Sequence, residues 1–402
     1  MSLVSLLLAL IALPLVLVLL LPALSELVGL AWRIGNHSLR PDERPAAHTP
    51  RLCILVPAHN EEAMIGRCVR SLVGMSRESV YFDVFVIADN CSDATASQAV
   101  AHGARVLERT DLSLRGKPYA LQWAMEQLAL QEYDAVMIVD ADSVVEPAYA
   151  SAVAAHAPLR RKAVQTFNGV ANRSTSWLSR LAGLLIAVRY DGQFVHKRRA
   201  GLNCPLANGM LMGTEVLDEH GWPVDSLTEN WEVYARFTVA GVDIEYAPDA
   251  RLGSEQAEGL SQSSIQRRRW QAGRWQVLRE YVGPLISSRS IGWRQKLDAI
   301  AELTSPGPVV HASLAVFVSA VLLLLPSSLG YALVVGLAAS LLPLLAWTIW
   351  AIHREEDRGQ LMLALARLPF YAVWRVIILL RSMTGRRRSA WTRSPRHSIE
   401  VP

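Results

Sequence analysis

Apolar positions gather at the two ends of the chain, and the stretch between them follows a different rhythm. Residues 3–24 carry no charged side chain, and the first acidic group is Glu26. A helix rising about 1.5 Å per residue needs about 20 apolar residues to cross the hydrocarbon, and this stretch is long enough. A secretory signal would bring a basic leader, a shorter apolar core and a small-residue cleavage site. These fit poorly, so residues 1–33 are expected to form an uncleaved anchor. No basic residue precedes the apolar run, while Arg33, Arg40 and Arg44 follow it. That asymmetry places the large central region on the cytoplasmic side. Within 308–352, residues 309–325 and 332–352 predict two further spans, with a turn at Pro326. The charged run His353, Arg354, Glu355, Glu356, Asp357 then returns the chain to the cytoplasm. Residues 361–380 are apolar but are interrupted by Arg367 and Arg375 and closed by Arg381. With Phe370, Tyr371 and Trp374 among them, they predict an interfacial or re-entrant amphipathic helix over 361–382.

Between these ends, residues 34–50 are polar and read as a linker. Residues 52–57 are apolar without alternation, as in a strand covered on both faces. Residues 61–72 have helical spacing, with Ile65, Val69 and Leu72 on one side. Strands are predicted at 82–87, 104–107 and 135–139, and helices at 93–102 and 118–130. This alternation predicts an α/β domain over 51–300, a mostly parallel sheet with helices on both faces. Polar residues follow the strand ends, at His59-Asn60-Glu61, at Asp89 and at Asp140-Ala141-Asp142, where open α/β sheets place their sites.

Charge and composition narrow the class. The net charge is only +4, with basic residues Arg386, Arg387, Arg388, Arg393 and Arg396 in the tail, 383–402. Beside apolar segments, such a tail suits an anionic membrane face. With no zinc-finger spacing or repeat, nucleic acid is not an expected partner. The four cysteines, Cys53, Cys68, Cys91 and Cys204, match no metal or redox spacing and read as small residues in a reducing compartment. No Gly-x-Gly-x-x-Gly follows the first strand and no Gly-x-x-x-x-Gly-Lys-Ser/Thr occurs. Dehydrogenase and P-loop readings therefore lack their phosphate cradles.

Several residue groups suit chemistry on a phosphate. Asp140 and Asp142 leave one strand two residues apart, and such hard oxygen ligands suit Mg²⁺ or Mn²⁺. A solvated acidic turn is the competing reading. Asp89 suits a nucleoside, or equally a helix cap beside Asn90, Ser92 and Asp93. Arg115-Gly116-Lys117 precedes a helix and offers cations. Gln266-Arg267-Arg268-Arg269-Trp270, then Arg274 and Trp275, can bind a diphosphate and offer a ring face, or lie as an amphipathic helix on anionic lipid. Residues 203–213 suit a loop beside a substrate. In Thr228-Glu229-Asn230, Glu229 is either a general base or a first-turn helix acid.

Together these residues resemble the family 2 inverting glycosyltransferases, in the membrane branch of cellulose, chitin and hyaluronan synthases, over about residues 51–281. Pro57-Ala58-His59-Asn60-Glu61-Glu62 matches the first motif of that family, and Asp89 its first aspartate. Lys117 stands at the Gly-Lys position, Asp140-Ala141-Asp142 resembles the metal-binding Asp-x-Asp, and Gln266, Arg269 and Trp270 match Gln-x-x-Arg-Trp in full. Trp374-Arg375 through Trp391-Thr392-Arg393 resembles bacterial exopolysaccharide members. The resemblance implies a GT-A fold and a UDP-sugar donor, carrying glucose or N-acetylglucosamine, contacted by Pro57, Glu61, Asp89, Lys117, Asp140, Gln266 and Arg269. It implies Mg²⁺ or Mn²⁺ at Asp142 and Asp140, and Glu229, Arg269 and Trp270 as catalytic groups. Membrane lipids surround such an enzyme, its acceptor is a lipid or polysaccharide, and polysaccharide-export proteins or a second copy of the chain are further partners. The bacterial inner membrane is the implied location. One departure stands out. The family has Thr-Glu-Asp where this chain has Asn230, and an amide has no useful basicity. Glu229, or else Glu232, is then the expected base. Two alternatives remain open: a single-sugar glycolipid enzyme of the ceramide or hopanoid type, and a catalytically silent nucleotide-sugar-binding partner.

Overall fold

The computed structural model describes residues 3–35, 49–223, 228–324 and 327–384. Most of the expected linker, the turn at Pro326 and all but the first two residues of the basic tail lie outside them. Helix α1 (Leu3–Gly35) precedes the α/β domain. There, β1 (Arg51–Ala58), α2 (Glu62–Val73), β2 (Tyr81–Asp89), α3 (Thr95–Ala101), β3 (Arg105–Arg109), α4 (Lys117–Gln127) and β4 (Ala135–Ile138) follow the predicted alternation. In β1, Leu52, Ile54 and Val56 pack with Ile65, Val69 and Leu72 of α2. Cys53 and Leu55 pack on the opposite face with Ala120, Leu121 and Ala124 of α4. Helices cover both faces, which is why the strand is apolar at every position after Arg51.

The second half departs from parallel pairing. β5 (Ser143–Val145), α5 (Tyr149–Ala154), β6 (Ala163–Val170), α6 (Trp177–Ala187), a π-helical turn at Val188–Phe194, α7 (Val195–Arg199), β7 (Met210–Gly213), α8 (Thr214–His220), α9 (Glu229–Ala240) and β8 (Ile244–Ser254) complete it. The sheet runs β3-β2-β1-β4-β7-β6-β8-β5. Among the described residues, pairings β1–β2, β1–β4, β2–β3 and β6–β8 are parallel, and those that β5 and β7 make are antiparallel. The expected substrate loop over 203–213 is therefore loop only to Gly209. Met210, Leu211 and Met212 form a buried central strand, disguised in the sequence by glycines on both sides. Because Ile138 of β4 pairs with Met210, the loop before β7 lies at the carboxyl end of β4, beside Asp140.

Among the described residues, six helices follow: α10 (Leu260–Ser287), α11 (Trp293–Thr304), α12 (Pro308–Leu324), α13 (Ser328–His353) and the bent pair α14 (Arg358–Leu365) and α15 (Leu368–Thr384). Val4–Trp32 and Ser328–His353 are long and apolar enough to cross a membrane. The span expected at 309–325 corresponds to a helix of 17 residues that meets α11 at 83°, the two together apolar enough for a broken span. Pro306, Gly307 and Pro308 break the pair, since proline supplies no helical N–H and Gly307 holds φ +88°. The helix expected over 361–382 belongs to two helices meeting at 54°. Helices α1, α12 and α13 share a core of Val16, Leu19, Val318, Leu322, Leu333 and Leu337. Polar contacts tie α1 to its neighbours: Ser25 Oγ donates to Asp298 of α11 (2.7 Å), Gln193 of the α/β domain donates to Glu26 (2.6 Å), and Trp347 of α13 donates to the same carboxylate (2.9 Å).

Candidate active site

The carboxyl ends of β1, β2 and β4 open onto a cavity of about 1240 Å³. Pro57, Glu61, Asp89, Lys117, Asp140, Asp142, Glu229, Gln266, Arg269 and Trp270 all line it, so the structure brings every sequence-derived site residue to one place. Asp140 and Asp142 sit in the turn after β4. Asn208 clamps this turn from the loop before β7. Its Oδ1 accepts from the Asp140 N–H (2.9 Å), and its Nδ2 donates to Ser143 Oγ and Ser254 Oγ (both 2.8 Å). Buried Gln165 holds that loop in turn, bonding the Ala207 N–H (2.6 Å) and the Asn208 carbonyl (3.0 Å). Among the described residues no third His, Cys, Asp or Glu joins the two aspartates as a metal-holding group. A pair of carboxylates with room for a ligand's phosphates is the donor set that Mg²⁺ and Mn²⁺ take when shared between protein and nucleotide, so the residues fit the ion.

Lys117 bridges the site's carboxylates. Its Nζ lies 2.7 Å from Asp140 and 3.0 Å from Glu229. Burial would lower its pKa, but the two carboxylates together raise it, so it stays an ammonium. Glu229 is the first residue of α9, where Gly273 lets α10 cross closely. A Cβ on Gly273 would stand 2.4 Å from Thr228 Oγ1. The neighbouring Asn230 turns away from acid–base work, its Nδ2 donating to the Leu206 carbonyl (3.1 Å). Glu232 does not line the cavity; it binds Arg236 (3.2 Å) and Tyr281 (3.3 Å). Of the two expected bases, only Glu229 faces the site.

Asp89 is buried, and its Oδ1 takes Arg109 (2.6 Å) and Asn90 Nδ2 (2.9 Å). Among the described residues its Oδ2 takes no hydrogen bond. Arg109 was invisible in the sequence because its partner lies across a β–α–β unit. On α10, Arg269 has no carboxylate partner among the described residues, and the Trp270 ring is 39% exposed. Burial brings Arg274 down to about 10, against the pull of Glu302. The cavity does not stop at the nucleotide end. Beyond Arg189 and Lys197 it reaches Ser25 and Glu26 of α1, His311 of α12, Ser340 of α13 and Tyr371 of α15.

The profile described as "Glycosyltransferase like family 2" matches residues 50–273, more than half of the chain. The chain belongs to the family 2 glycosyltransferases. Among curated relatives, beta-monoglucosyldiacylglycerol synthase of Trichormus variabilis is 26% identical over 89% of this chain and 76% of its own length. The protein of the same name from a Synechocystis strain is 26% identical over 63% of this chain and 54% of its own length. Among solved structures, a Pyrobaculum calidifontis mannosyltransferase, in complex with GDP-Man and Mn²⁺, superposes with TM-score 0.53 at 19% identity. The match covers 87% of this chain and 95% of that one, and shows the shared GT-A-like fold. This family 2 enzyme thus carries its motifs on a sheet whose helical neighbours are apolar enough for a membrane.

Proposed function

We propose that this glycosyltransferase moves a hexose from a UDP-sugar onto a hydroxyl of a membrane lipid, in one inverting displacement on the cytoplasmic side of a bacterial inner membrane. The observation that carries the reading is the continuity of the cavity, from the Asp140–Asp142 turn to the walls of α1, α12, α13 and α15. A lipid held among those helices can present its headgroup to the sugar. The glucosyl-lipid names of the relatives favour glucose over N-acetylglucosamine and one sugar over a polysaccharide.

The nucleoside lies against Asp89, the first-motif residues Pro57 and Glu61 flank it, and the diphosphate faces Lys117, Gln266 and Arg269. Asp142 and Asp140 would hold a divalent ion, which would supply Lewis-acid neutralisation of the diphosphate. Glu229 takes the proton of the acceptor hydroxyl as its oxygen bonds to the anomeric carbon. The bond from that carbon to phosphate breaks, and UDP leaves toward Lys117 and Arg269. Lys117 now pairs with Glu229, and a donor phosphate drawing the ammonium away frees the carboxylate. Trp270 walls the sugar. Glu229→Gln is expected to lower kcat by about 10²–10⁴ while UDP affinity stays within twofold. Steady-state turnover paired with calorimetric UDP titration checks this, and unchanged turnover removes Glu229 from the role of base.

A further inference from the structure

Charge is unevenly matched along the cavity. Its carboxylates beyond the aspartate turn are engaged: Glu302 binds Arg189 and Lys197, Asp298 binds Lys197 and Ser25, and Glu26 binds Gln193 and Trp347. Apart from Arg189, its arginines on α10 and α15 have no carboxylate partner among the described residues. Arg267 donates to Ser263 Oγ (2.9 Å), and Arg274 donates to Gln271 Oε1 (3.0 Å) and lies over the Trp231 ring (5.5 Å to its centroid). Arg375, which interrupts an otherwise apolar helix, has no hydrogen bond or ion pair among the described residues. Trp374 fixes it in place by donating to Ser264 on α10 (3.1 Å). Unpaired guanidinium groups crowded beside one another and away from bulk water repel and are poorly solvated, an arrangement that an anion relieves.

These arginines are not the diphosphate motif under another name. At about 100° per residue, Gln266, Arg269 and Trp270 fall on one edge of α10, whereas Arg267, Gln271 and Arg274 fall on the next. Arg375 comes to that second edge from α15, and the wall beside it is apolar: Leu185, Val309, Pro343, Leu344 and Tyr371. A cationic pocket with an apolar wall fits a headgroup with acyl chains, not a free ion. We propose that Arg267, Arg274 and Arg375 form a subsite for the phosphate of an anionic lipid headgroup, separate from the donor site. The lipid then sits with its phosphate on the three guanidinium groups and its chains along α12, α13 and α15. This proposal deepens the lipid-acceptor reading and rests on it.

Binding, not turnover, tests it, so that the two readings fail separately. The full-length protein in non-ionic detergent would be titrated with dioctanoyl phosphatidylglycerol, dioctanoyl phosphatidylcholine, inorganic phosphate and, independently, UDP. The expectation is a preference of about tenfold for phosphatidylglycerol over phosphatidylcholine, the scale of one charge-assisted hydrogen bond. Arg375→Gln should abolish that preference, Arg375→Lys should keep part of it, and UDP affinity should not move. Equal binding of both lipids by a protein that binds UDP overturns the subsite and leaves the glycosyltransfer reading standing. Competition by inorganic phosphate at the same concentration makes it a free-phosphate site and also overturns it. A parallel loss of UDP affinity in Arg375→Gln assigns the arginines to the donor diphosphate and overturns the subsite. Failure of the wild type to bind UDP counts against the donor reading itself.

Discussion

Asn230 stands where an aspartate is the family's usual base, and its amide is spent on the Leu206 carbonyl at 3.1 Å. A carboxylate there would face a carbonyl oxygen with no hydrogen to donate. Asn230→Asp is therefore expected to cost about 1–3 kcal/mol of stability through the lost bond, with no gain in turnover. Denaturant melts and UDP release on the same preparation check both parts, and faster release would mean that Asn230 marks a lost base. At this scale the sequence was legible wherever residues act in local motifs. Lys117, Asp140, Asp142, Gln266 and Arg269 were all found that way, and all face one cavity. Asn208 and Arg109 escaped because their partners are distant: Asp140 is 68 residues from Asn208, and Asp89 is 20 from Arg109. Only the folded sheet brings such pairs together.

Among the elements, the loop before β7 decides how the aspartate turn is held. Gly209 adopts φ +79°, and a Cβ there would stand 2.3 Å from Thr166 Oγ1 and 2.6 Å from Leu252. Gly209→Ala should destabilise the protein by about 2–4 kcal/mol, from left-handed strain plus overpacking, as a lowered melting temperature would show. A second element-scale test sits at the start of β8. Burial would raise the Glu245 pKa, but His156, Lys162 and Arg198 bring it down from 4.5 to about 2. A depressed carboxylate stabilises the fold above its ordinary pKa and loses that contribution as pH falls through the folded value. The stability gap between wild type and Glu245→Gln should thus be full at pH 7 and close between about pH 4.5 and 2. Denaturant titrations across that range measure it, and a gap indifferent to pH would refute the assignment. β1, β2 and β4 were readable because each is a mainly apolar run between turns, whereas β6 and β8 mix polar residues into theirs and were missed. β7 was missed too, because four residues flanked by glycines look like loop until β4 and β6 pair with them.

For the whole molecule, the sheet domain and the apolar helices share one cavity, and the polar ties at Ser25, Glu26 and Asp298 hold α1 to α11, to α13 and to the catalytic half. The sequence located the long apolar helices by length alone. It missed the bends at 83° and 54°, because hydropathy records where apolar residues lie and not the angle at which one helix meets the next. It also missed that these helices wall the catalytic cavity, which is a fact of tertiary packing. The central claim, hexose transfer from a nucleotide donor to a lipid through that shared cavity, is tested most directly by one measurement. Full-length protein in nanodiscs of phosphatidylglycerol and phosphatidylcholine containing diacylglycerol would be incubated with UDP-glucose and Mg²⁺ or Mn²⁺, and the extracted lipids weighed by mass spectrometry. The account predicts a lipid heavier by a single hexose, formed in step with UDP release and lost in Asp142→Asn. Tight UDP binding with no modified lipid, across UDP-hexoses and lipid hydroxyl acceptors, would contradict it and leave a silent nucleotide-sugar-binding homologue.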